Sequence, residues 1–410
     1  MSAAGRATRG VGGAGLVVRL LMPLAWPQAG GAAEYARVLA EGLAERDEVA
    51  EVELLTQRVA GGAGEGRIGA REGLVVRREL PVVFGGGGLP RARRAVNYIE
   101  HNRRVAGALT AWSRAARGDG RSTVVLVHSG YSRRRTVVGA WVRRLKRQGC
   151  PVRYVLDVRD PLNSDASLRG YGHFDGAIGC SRAIARRLRE VWPAERVAEL
   201  AVPVRFERVS DAAVEAELGR RGLTRGGYVL LPGGVVAGKG FGVAFEAWRR
   251  LVERGSGLGL VSIGRRQAVG AELAGAVDEA ERGGGFVHVG EVDNAAARAL
   301  MAGSAAVVLA SGVEGLPRAA LEAMSVGAAG LWPGVEEFVE AMPGQIAETA
   351  DAGRLAEQIE RVAERALRGV GGASGGYDWR RHDAALVMGR YVAWLSELAG
   401  TKRGAERASG

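Results

Sequence analysis

A chain of 410 residues with 47% hydrophobic content is too long for one ordinary domain and can fill two or three cores. Lys and Arg outnumber Asp and Glu by 57 to 45, which favours an anionic partner: a phosphorylated small molecule, an anionic membrane surface or nucleic acid. No zinc-finger spacing, RNP-type aromatic motif or basic-region heptad pattern occurs, so we do not expect nucleic acid as a partner.

The cysteine and metal-ligand patterns are sparse. Cys150 and Cys180 form neither a CxxC motif nor a disulfide framework, which fits a reducing cytosol. The five histidines are scattered, and no two aspartates stand two residues apart as in a DxD metal clamp. The sequence therefore predicts no metal site and a cytoplasmic location.

The N-terminal region has two parts. Residues 1–14 are rich in Gly, Ala and Arg, and we expect them to be disordered. The apolar stretch 16–26 has the length of a signal-peptide core, but Arg19 and Pro23 interrupt it, which favours a buried strand. No stretch approaches the ~20 apolar residues needed to span a bilayer.

Strands and helices alternate through the first half of the chain. A strand at 16–22, a turn containing Gly30 and Gly31, a helix at 35–46 and a strand at 49–56 form a βαβ pattern. Two glycines before a helix let the backbone approach a phosphate, although a plain tight turn is the alternative. A loop at 59–73 precedes the further predicted elements: a strand or strand pair at 74–84, a basic helix at 91–117, strands at 123–128, 152–158 and 175–181, and a helix at 182–191.

The helix predicted at 133–147, Arg133 to Arg147, is both basic and amphipathic. Such a helix can rest on anionic lipid, where each basic residue contributes roughly 1 kcal/mol. The alternative is a solvated helix face that packs on the sheet. The sequence thus allows a peripheral contact with the inner face of the membrane.

The second half repeats the alternation after a predicted interdomain connection at 193–210. Strands at 228–231, 258–263, 286–289 and 305–310 alternate with helices at 243–253, 271–281 and 295–302. This pattern predicts a second parallel α/β domain. A long amphipathic helix is expected at 379–398.

Lys239 is one of only three lysines, and it follows a predicted strand between Gly238 and Gly240. Flanking glycines leave room for a diphosphate at the start of a helix. The segment nearly matches a P-loop, but Gly240 stands where the Mg²⁺-binding Ser or Thr is needed, which argues against an NTPase. A solvent-exposed lysine without a role is the alternative.

Glu314 and Glu322 flank the start of a predicted helix. Glu314 lies in the loop after the strand at 305–310, and Pro317 suits the first helical position. Ligands bind beyond the carboxyl ends of strands in such sheets, where this loop would lie. The alternative is that Glu314 is a plain loop carboxylate and Glu322 a good helix former.

Ser181, in Gly179-Cys-Ser-Arg-Ala183, resembles the nucleophile elbow of hydrolases. We favour an ordinary helix N-cap for this serine.

Together these residues resemble the retaining glycosyltransferases of family 4 over most of 16–400. That resemblance implies the GT-B fold: two Rossmann-like, doubly wound parallel-sheet α/β domains facing across a cleft, with the C-terminal helix packing back on the first domain. The domains would span 15–205 with 379–400, and 206–378. The motifs that match are Pro27-x-x-Gly30-Gly31-x-x-Glu34, Asp175 to Ser181, Gly233 to Gly240, Gly290-Glu-Val292 and the E-x7-E pair Glu314 and Glu322.

The resemblance also implies roles. Lys239 would hold the donor diphosphate, Glu314 would bind sugar hydroxyls, and Glu322 would bind the ribose. Backbone N–H groups of Gly315 and Leu316 would lie near sugar and phosphate. The other implied substrate-binding residues are Gly30, Gly31, Asp160, Gly233 and Val292. The donor would be a UDP- or GDP-sugar used without metal or cofactor, and the acceptor a glycan, a lipid-linked or a small molecule.

Three features depart from the family pattern. Gly234 stands where the family has an arginine, so one diphosphate contact is missing or comes from elsewhere. Arg159 replaces the histidine expected at the tip of the middle strand, and Gly-Leu-Pro follows Glu314 in place of Gly-Phe-Gly. We predict a glycosyltransferase; the alternatives are a catalytically weakened binding or scaffold protein and a sugar-nucleotide isomerase on the same fold.

Overall fold

The computed structural model describes residues 15–25, 30–58, 73–83, 90–131, 137–160, 168–369 and 375–400, and the backbone alone of 67–71. Pro27, residues 1–14 and the arginines at 133–135, on which predictions were made, lie outside these ranges. The described residues form two sheets, each covered by helices.

The first sheet contains the strands of the N-terminal half. In the described residues it has eight strands in the order β3-β4-β2-β1-β5-β6-β7-β8, and every neighbouring pair except β3–β4 is parallel. The strands are β1 Leu16–Leu21, β2 Val49–Gln57, β3 Arg67–Arg71, β4 Leu74–Leu80, β5 Thr123–His128, β6 Arg153–Val158, β7 Gly176–Gly179 and β8 Val197–Glu199. Its helices are α1 Gly31–Ala44, α2 Arg91–Asp119, α3 Val138–Arg147 and α4 Arg182–Leu188.

The second sheet is wholly parallel, in the order β11-β10-β9-β12-β13. Its strands are β9 Tyr228–Leu231, β10 Gly259–Ile263, β11 Phe286–Gly290, β12 Ala306–Val308 and β13 Gly330–Leu331. The helices of this half are α5 Asp211–Gly219, α6 Phe241–Glu253, α7 Ala271–Arg282, α8 Asn294–Gly303, α9 Arg318–Ser325, α10 Glu336–Ala341 and α11 Ala352–Leu367.

Both faces of the second sheet are buried. Leu230 and Val307 belong to a core cluster shared with the first domain, whereas their neighbours Val229 and Val308 belong to a separate cluster on the other face. Alternate residues of a strand point to opposite faces, so continuous apolar runs such as 228–231 are needed to cover both.

Arg19, which interrupts the apolar run of β1, is buried but paired. Its guanidinium donates to Glu51 at 2.6 Å and to Glu53 at 2.7 Å on the neighbouring strand β2. A buried arginine is tolerated only with such partners. The interpretation of 16–22 as a buried strand is confirmed.

Several boundaries differ from the prediction. The loop predicted at 59–73 is wrong at 67–71, which forms an antiparallel edge strand, and the connection predicted at 193–210 is wrong at 197–199, which forms β8. Tertiary pairing made these short segments into strands, because neither has a periodic pattern of its own. Pro317 is the N-cap of α9 and not its first residue.

The C-terminal segment returns to the first domain, as predicted. The single helix expected at 379–398 is interrupted, however: a 3₁₀ turn, Trp379–His382, ends at Asp383, whose side chain caps α12, Ala384–Ala399. Asp383 accepts from the N–H groups of Ala385 and Leu386, which fixes the start of α12. The Tyr391 hydroxyl then lies 3.1 Å from that of Tyr35 on α1.

Candidate functional site

A cleft of about 570 Å³ lies between the carboxyl ends of the two sheets. Its first-domain wall includes the start of α1 and the ends of β5 and β6; its second-domain wall includes the loops after β9, β10, β11 and β12. Strand ends of parallel sheets are where α/β proteins bind ligands. The predicted site residues that line the cleft are Gly30, Gly31, Asp160, Gly233, Lys239, Val292, Glu314, Leu316 and Glu322.

Lys239 and Glu314 contact each other directly. Lys239 ends the 3₁₀ turn Ala237–Lys239 after β9, and its Nζ lies 2.5 Å from Oε1 of Glu314 in the loop after β12. The lysine side chain is 46% exposed and the glutamate 16%. Within the described residues, Glu314 is the carboxylate that pairs with this half-exposed ammonium, and an entering phosphate can accept hydrogen bonds from the same group.

Gly234 has a physical reason to be glycine. Its φ is +70°, and a Cβ at this position would lie 2.3 Å from the backbone oxygen of Arg265. The two loops are joined by the Val235 N–H donating to that same oxygen at 2.9 Å. No side chain fits at 234 unless the loop at 264–266 moves.

Arg265 reaches the same cleft from this neighbouring loop. Its Nε donates to Glu291 at 3.1 Å, and both residues line the cleft. Arg265 is 46% exposed, as Lys239 is. The close approach at Gly234 thus brings a second accessible cation to the second-domain wall.

Gly315 does not line the cleft but joins its two walls. A Cβ on Gly315 would lie 2.0 Å from the carbonyl oxygen of Arg159, at the end of β6. The adjacent Leu316 does line the cleft. Glycine at 315 therefore allows the loop after β12 to touch the first domain.

Glu322, on the first turns of α9, is held by Arg318 one turn earlier. Arg318 Nη2 donates to Glu322 Oε1 at 3.2 Å, and its Nη1 donates to the Pro203 carbonyl at 2.6 Å. Both side chains are largely buried, with 9% of Arg318 and 12% of Glu322 exposed. Arg318 was not predicted as a site residue.

The first-domain wall carries a buried charge cluster around Arg159. Its guanidinium pairs with Asp157 at 2.6 Å, lies over the Tyr35 ring at 4.3 Å and donates to the hydroxyls of Tyr35 and Tyr391. Burial is the largest single influence on the pKa of Arg159 and lowers it, but Asp157 together with Tyr35, Tyr391 and Cys180 outweighs burial, and the pKa lies well above its ordinary value. Burial also raises the pKa of Tyr35, so its hydroxyl stays protonated.

His128 was not identified as a site residue from the sequence. The family's histidine was expected at position 159, where this chain has an arginine. His128 ends β5, the strand beside β6, and lines the cleft. Its Nδ1 accepts from the Gly130 N–H at 2.9 Å, so a neutral ring carries its proton on Nε2. Its place as the last residue of a buried strand is the feature that could have identified it.

Ser181 lies at the start of α4 as an N-cap, as predicted, and its hydroxyl accepts from the Ile184 N–H at 3.4 Å. Among the described residues, no three His, Cys, Asp or Glu side chains form a group that could hold a metal ion. Within the same part of the chain, no helix has both the length and the hydropathy to cross a bilayer.

Comparison with solved structures identifies the architecture. HepE of Anabaena, in complex with UDP, superposes with a TM-score of 0.64 at 14% identity, covering 93% of this chain and 99% of that one. Sucrose-phosphate synthase of Thermosynechococcus elongatus gives 0.64 at 17% identity, covering 93% and 96%. The fold is GT-B. The predicted fold class is therefore confirmed.

The α,α-trehalose-phosphate synthase of Burkholderia xenovorans, solved with glucose-6-phosphate, shares the fold with a TM-score of 0.63 at 15% identity, covering 93% and 100%. Residues 227–365 also match the family model for glycosyl transferases group 1. None of the curated proteins matches the chain significantly. The second GT-B domain thus carries the group 1 sequence pattern, and it contains Lys239, Glu314 and Glu322.

Proposed function

We propose that the protein is a retaining glycosyltransferase of family 4, which transfers a sugar from a nucleotide-sugar donor to a glycan, lipid-linked or small-molecule acceptor in the cytoplasm. The observation that carries this proposal is the cleft itself. It brings Lys239, Glu314 and Glu322 together on one wall of a GT-B fold, opposite Gly31 and Asp160.

The donor would lie along the second-domain wall. Lys239 would bind the diphosphate, Glu314 the sugar hydroxyls and Glu322 the ribose, while Val292 would lie beside the base. Transfer requires stabilisation of the negative charge that develops on the leaving diphosphate. Lys239 supplies one positive charge for it, and the N-terminal end of α9 supplies a favourable dipole.

Arg265 would provide the second cation that Gly234 cannot. In support, it lines the same cleft, is half exposed, and approaches because Gly234 has no side chain. The departure at Gly234 is then compensated from the neighbouring loop, and the site retains two cations for the diphosphate without a required metal.

The opposite wall would receive the acceptor and the transferred sugar. His128 can donate a hydrogen bond from Nε2, and the Asp160 carboxylate can accept one from a hydroxyl group. The backbone at Gly30 and Gly31 can approach the diphosphate closely. The neighbours support a uridine donor, because the HepE complexes contain UDP and UDP-glucose.

The experiment is a thermal-shift panel of UDP, GDP and their sugars, followed by a donor-hydrolysis assay. A ligand at 100 times its dissociation constant should add about 2.7 kcal/mol to the free energy of unfolding. NMR of the product should show the anomeric configuration of the donor. Absence of both binding and turnover at millimolar donor would contradict the proposal; binding without turnover would indicate a scaffold, and epimerised donor without acceptor an isomerase.

A further inference from the structure

Arg318 is a largely buried cation that lies between the two walls of the cleft. It is the first residue of α9, and its side chain is 9% exposed. It contacts the donor wall through Glu322, the interdomain segment through the Pro203 carbonyl, and the first domain through Glu34, whose Oε1 lies 3.9 Å away.

Glu34 belongs to the first turn of α1 and is itself fixed. Arg37 forms a bidentate pair with it, at 2.8 Å to Oε2 and 2.6 Å to Oε1. Burial alone would raise the pKa of Glu34, but the Arg37 hydrogen bonds and the charges of Arg318 and Arg37 outweigh burial, and the pKa lies below its ordinary value. The carboxylate is therefore charged and in place to attract Arg318.

The contact with Glu322 uses only one carboxylate oxygen. Arg318 donates to Oε1 and so fixes the orientation of the Glu322 carboxylate. Oε2 can then accept a hydrogen bond from a ligand hydroxyl. A carboxylate oriented in this way loses less conformational entropy on binding than a free one. If Arg318 moves, so does the hydrogen-bonding group of Glu322.

We propose that Arg318 is a positioning residue: it orients Glu322 for the donor ribose and ties that orientation to the first domain through Glu34 and Pro203. The proposal rests on the proposed function, because it takes Glu322 as the ribose ligand. It adds that ribose recognition depends on the relative position of the two domains. A Cβ at Gly31 would lie 3.9 Å from Cδ of Arg318, an ordinary van der Waals contact, so Arg318 also lies beside the start of α1.

The test compares ribose recognition in Arg318→Met and wild type by calorimetry. The probes are UDP, 2′-deoxy-UDP, 3′-deoxy-UDP and pyrophosphate, with the guanosine series in parallel. Wild type should bind UDP about tenfold more tightly than its deoxy analogues, which corresponds to about 1.4 kcal/mol of binding free energy. Arg318→Met should reduce that ratio towards one while its pyrophosphate affinity stays within about twofold of wild type.

Three further variants separate positioning from general damage. Glu322→Gln should lose the same preference for the ribonucleotide over its deoxy analogues. The double variant of Arg318 and Glu322 should lose no more of that preference than either single variant. Arg318→Lys should keep an intermediate ratio. Arg249→Met, an exposed arginine on α6, is the matched control and should behave as wild type.

The outcomes are distinct. A wild-type ribose ratio in Arg318→Met would overturn the inference and leave the proposed function intact. Equal weakening of every probe, pyrophosphate included, would show a merely structural arginine and also overturn it. Failure of wild type to bind either nucleoside diphosphate would remove both the inference and the proposed function.

Discussion

At the scale of single residues, the cations of the cleft differ in how firmly they are held. Arg159 and Arg318 are largely buried among fixed partners, whereas Lys239 and Arg265 are half exposed and pair with Glu314 and Glu291. Buried pairs are costly to break, but exposed pairs contribute little to stability. Among the described residues of the cleft, Lys239 and Arg265 are therefore the more accessible cations for a ligand.

Lys239→Met should abolish transfer and leave the fold intact. Loss of one group that stabilises developing charge costs at least about a hundredfold in kcat. Because the ion pair with Glu314 is partly exposed, stability should change by less than about 1 kcal/mol. Steady-state kinetics and thermal unfolding check this.

Arg265→Met removes the second cation of the same site and should reduce transfer in part. Arg249→Met is the control and should leave transfer unchanged. Transfer by Lys239→Met at close to the wild-type rate would refute its role at the diphosphate. Unfolding of Lys239→Met well below the wild-type temperature would show instead that the lysine serves the fold.

At the scale of elements, α3 is the helix whose surface suits an anionic membrane. Val138, Val142 and Leu145 are buried against the sheet, while Arg143, Arg144 and Arg147 are exposed. Beside it, a groove of about 660 Å³ between α2 and α3 is lined by Ile99, Trp141, Arg103 and Arg114, among others. Ile99 is 71% exposed, which adds an apolar group to the basic surface. We propose that this surface makes the peripheral membrane contact.

Reversal of these three charges (Arg143→Glu, Arg144→Glu, Arg147→Glu) should release the protein from anionic vesicles. At roughly 1 kcal/mol per basic residue, loss of the three arginines should weaken binding by about 3 kcal/mol, so the partition coefficient should fall at least about a hundredfold. Co-sedimentation with vesicles of phosphatidylglycerol and phosphatidylcholine measures it, with phosphatidylcholine alone as the uncharged reference.

The matched control reverses three exposed arginines on α11 of the second domain: Arg354, Arg361 and Arg365. The two triple variants have equal net charge, so equal release would show a non-specific charge effect. No binding by wild type would leave α3 as a solvated face of the first domain.

At the scale of the whole molecule, the two domains touch at several charged and backbone contacts. Arg182 and Arg186 on α4 pair with Glu340 and Glu336 on α10, at 2.5 Å and 2.8 Å. The Arg182 backbone N–H also donates to Glu337 of α10 at 2.7 Å. Gly315 also approaches Arg159 beside the cleft, so closely that a Cβ at 315 would lie 2.0 Å from the Arg159 carbonyl oxygen.

Gly315→Ala should therefore weaken both the domain contact and donor binding. The added methyl would meet a backbone oxygen at 2.0 Å, which no side-chain rotation can relieve. Overpacking of this kind costs about 1–3 kcal/mol. Thermal unfolding and the dissociation constant for UDP measure the two effects.

Gly312→Ala, three residues earlier in the same loop, is the control, because nothing lies within 4 Å of its Cβ position. If the two variants have similar unfolding temperatures and UDP affinities, the close approach at Gly315 does not fix the relative position of the two domains.

Much of the fold followed from local sequence pattern. The buried runs at 16–21 and 123–128, the cap at Ser181 and the strand–loop–helix around Glu314 depend on neighbours close in sequence, so periodicity and residue type predicted them. The E-x7-E spacing likewise placed Glu314 and Glu322 at one helix start.

Tertiary structure alone decided how the site is supported. Arg318 meets Glu34 and Pro203, and Arg159 meets Tyr391, across 115 to 284 residues of chain. No local pattern encodes such contacts, because they depend on how the two domains and the last helix pack. For the same reason the sequence suggested a lost arginine at Gly234, whereas the folded chain places Arg265 against that glycine and into the cleft.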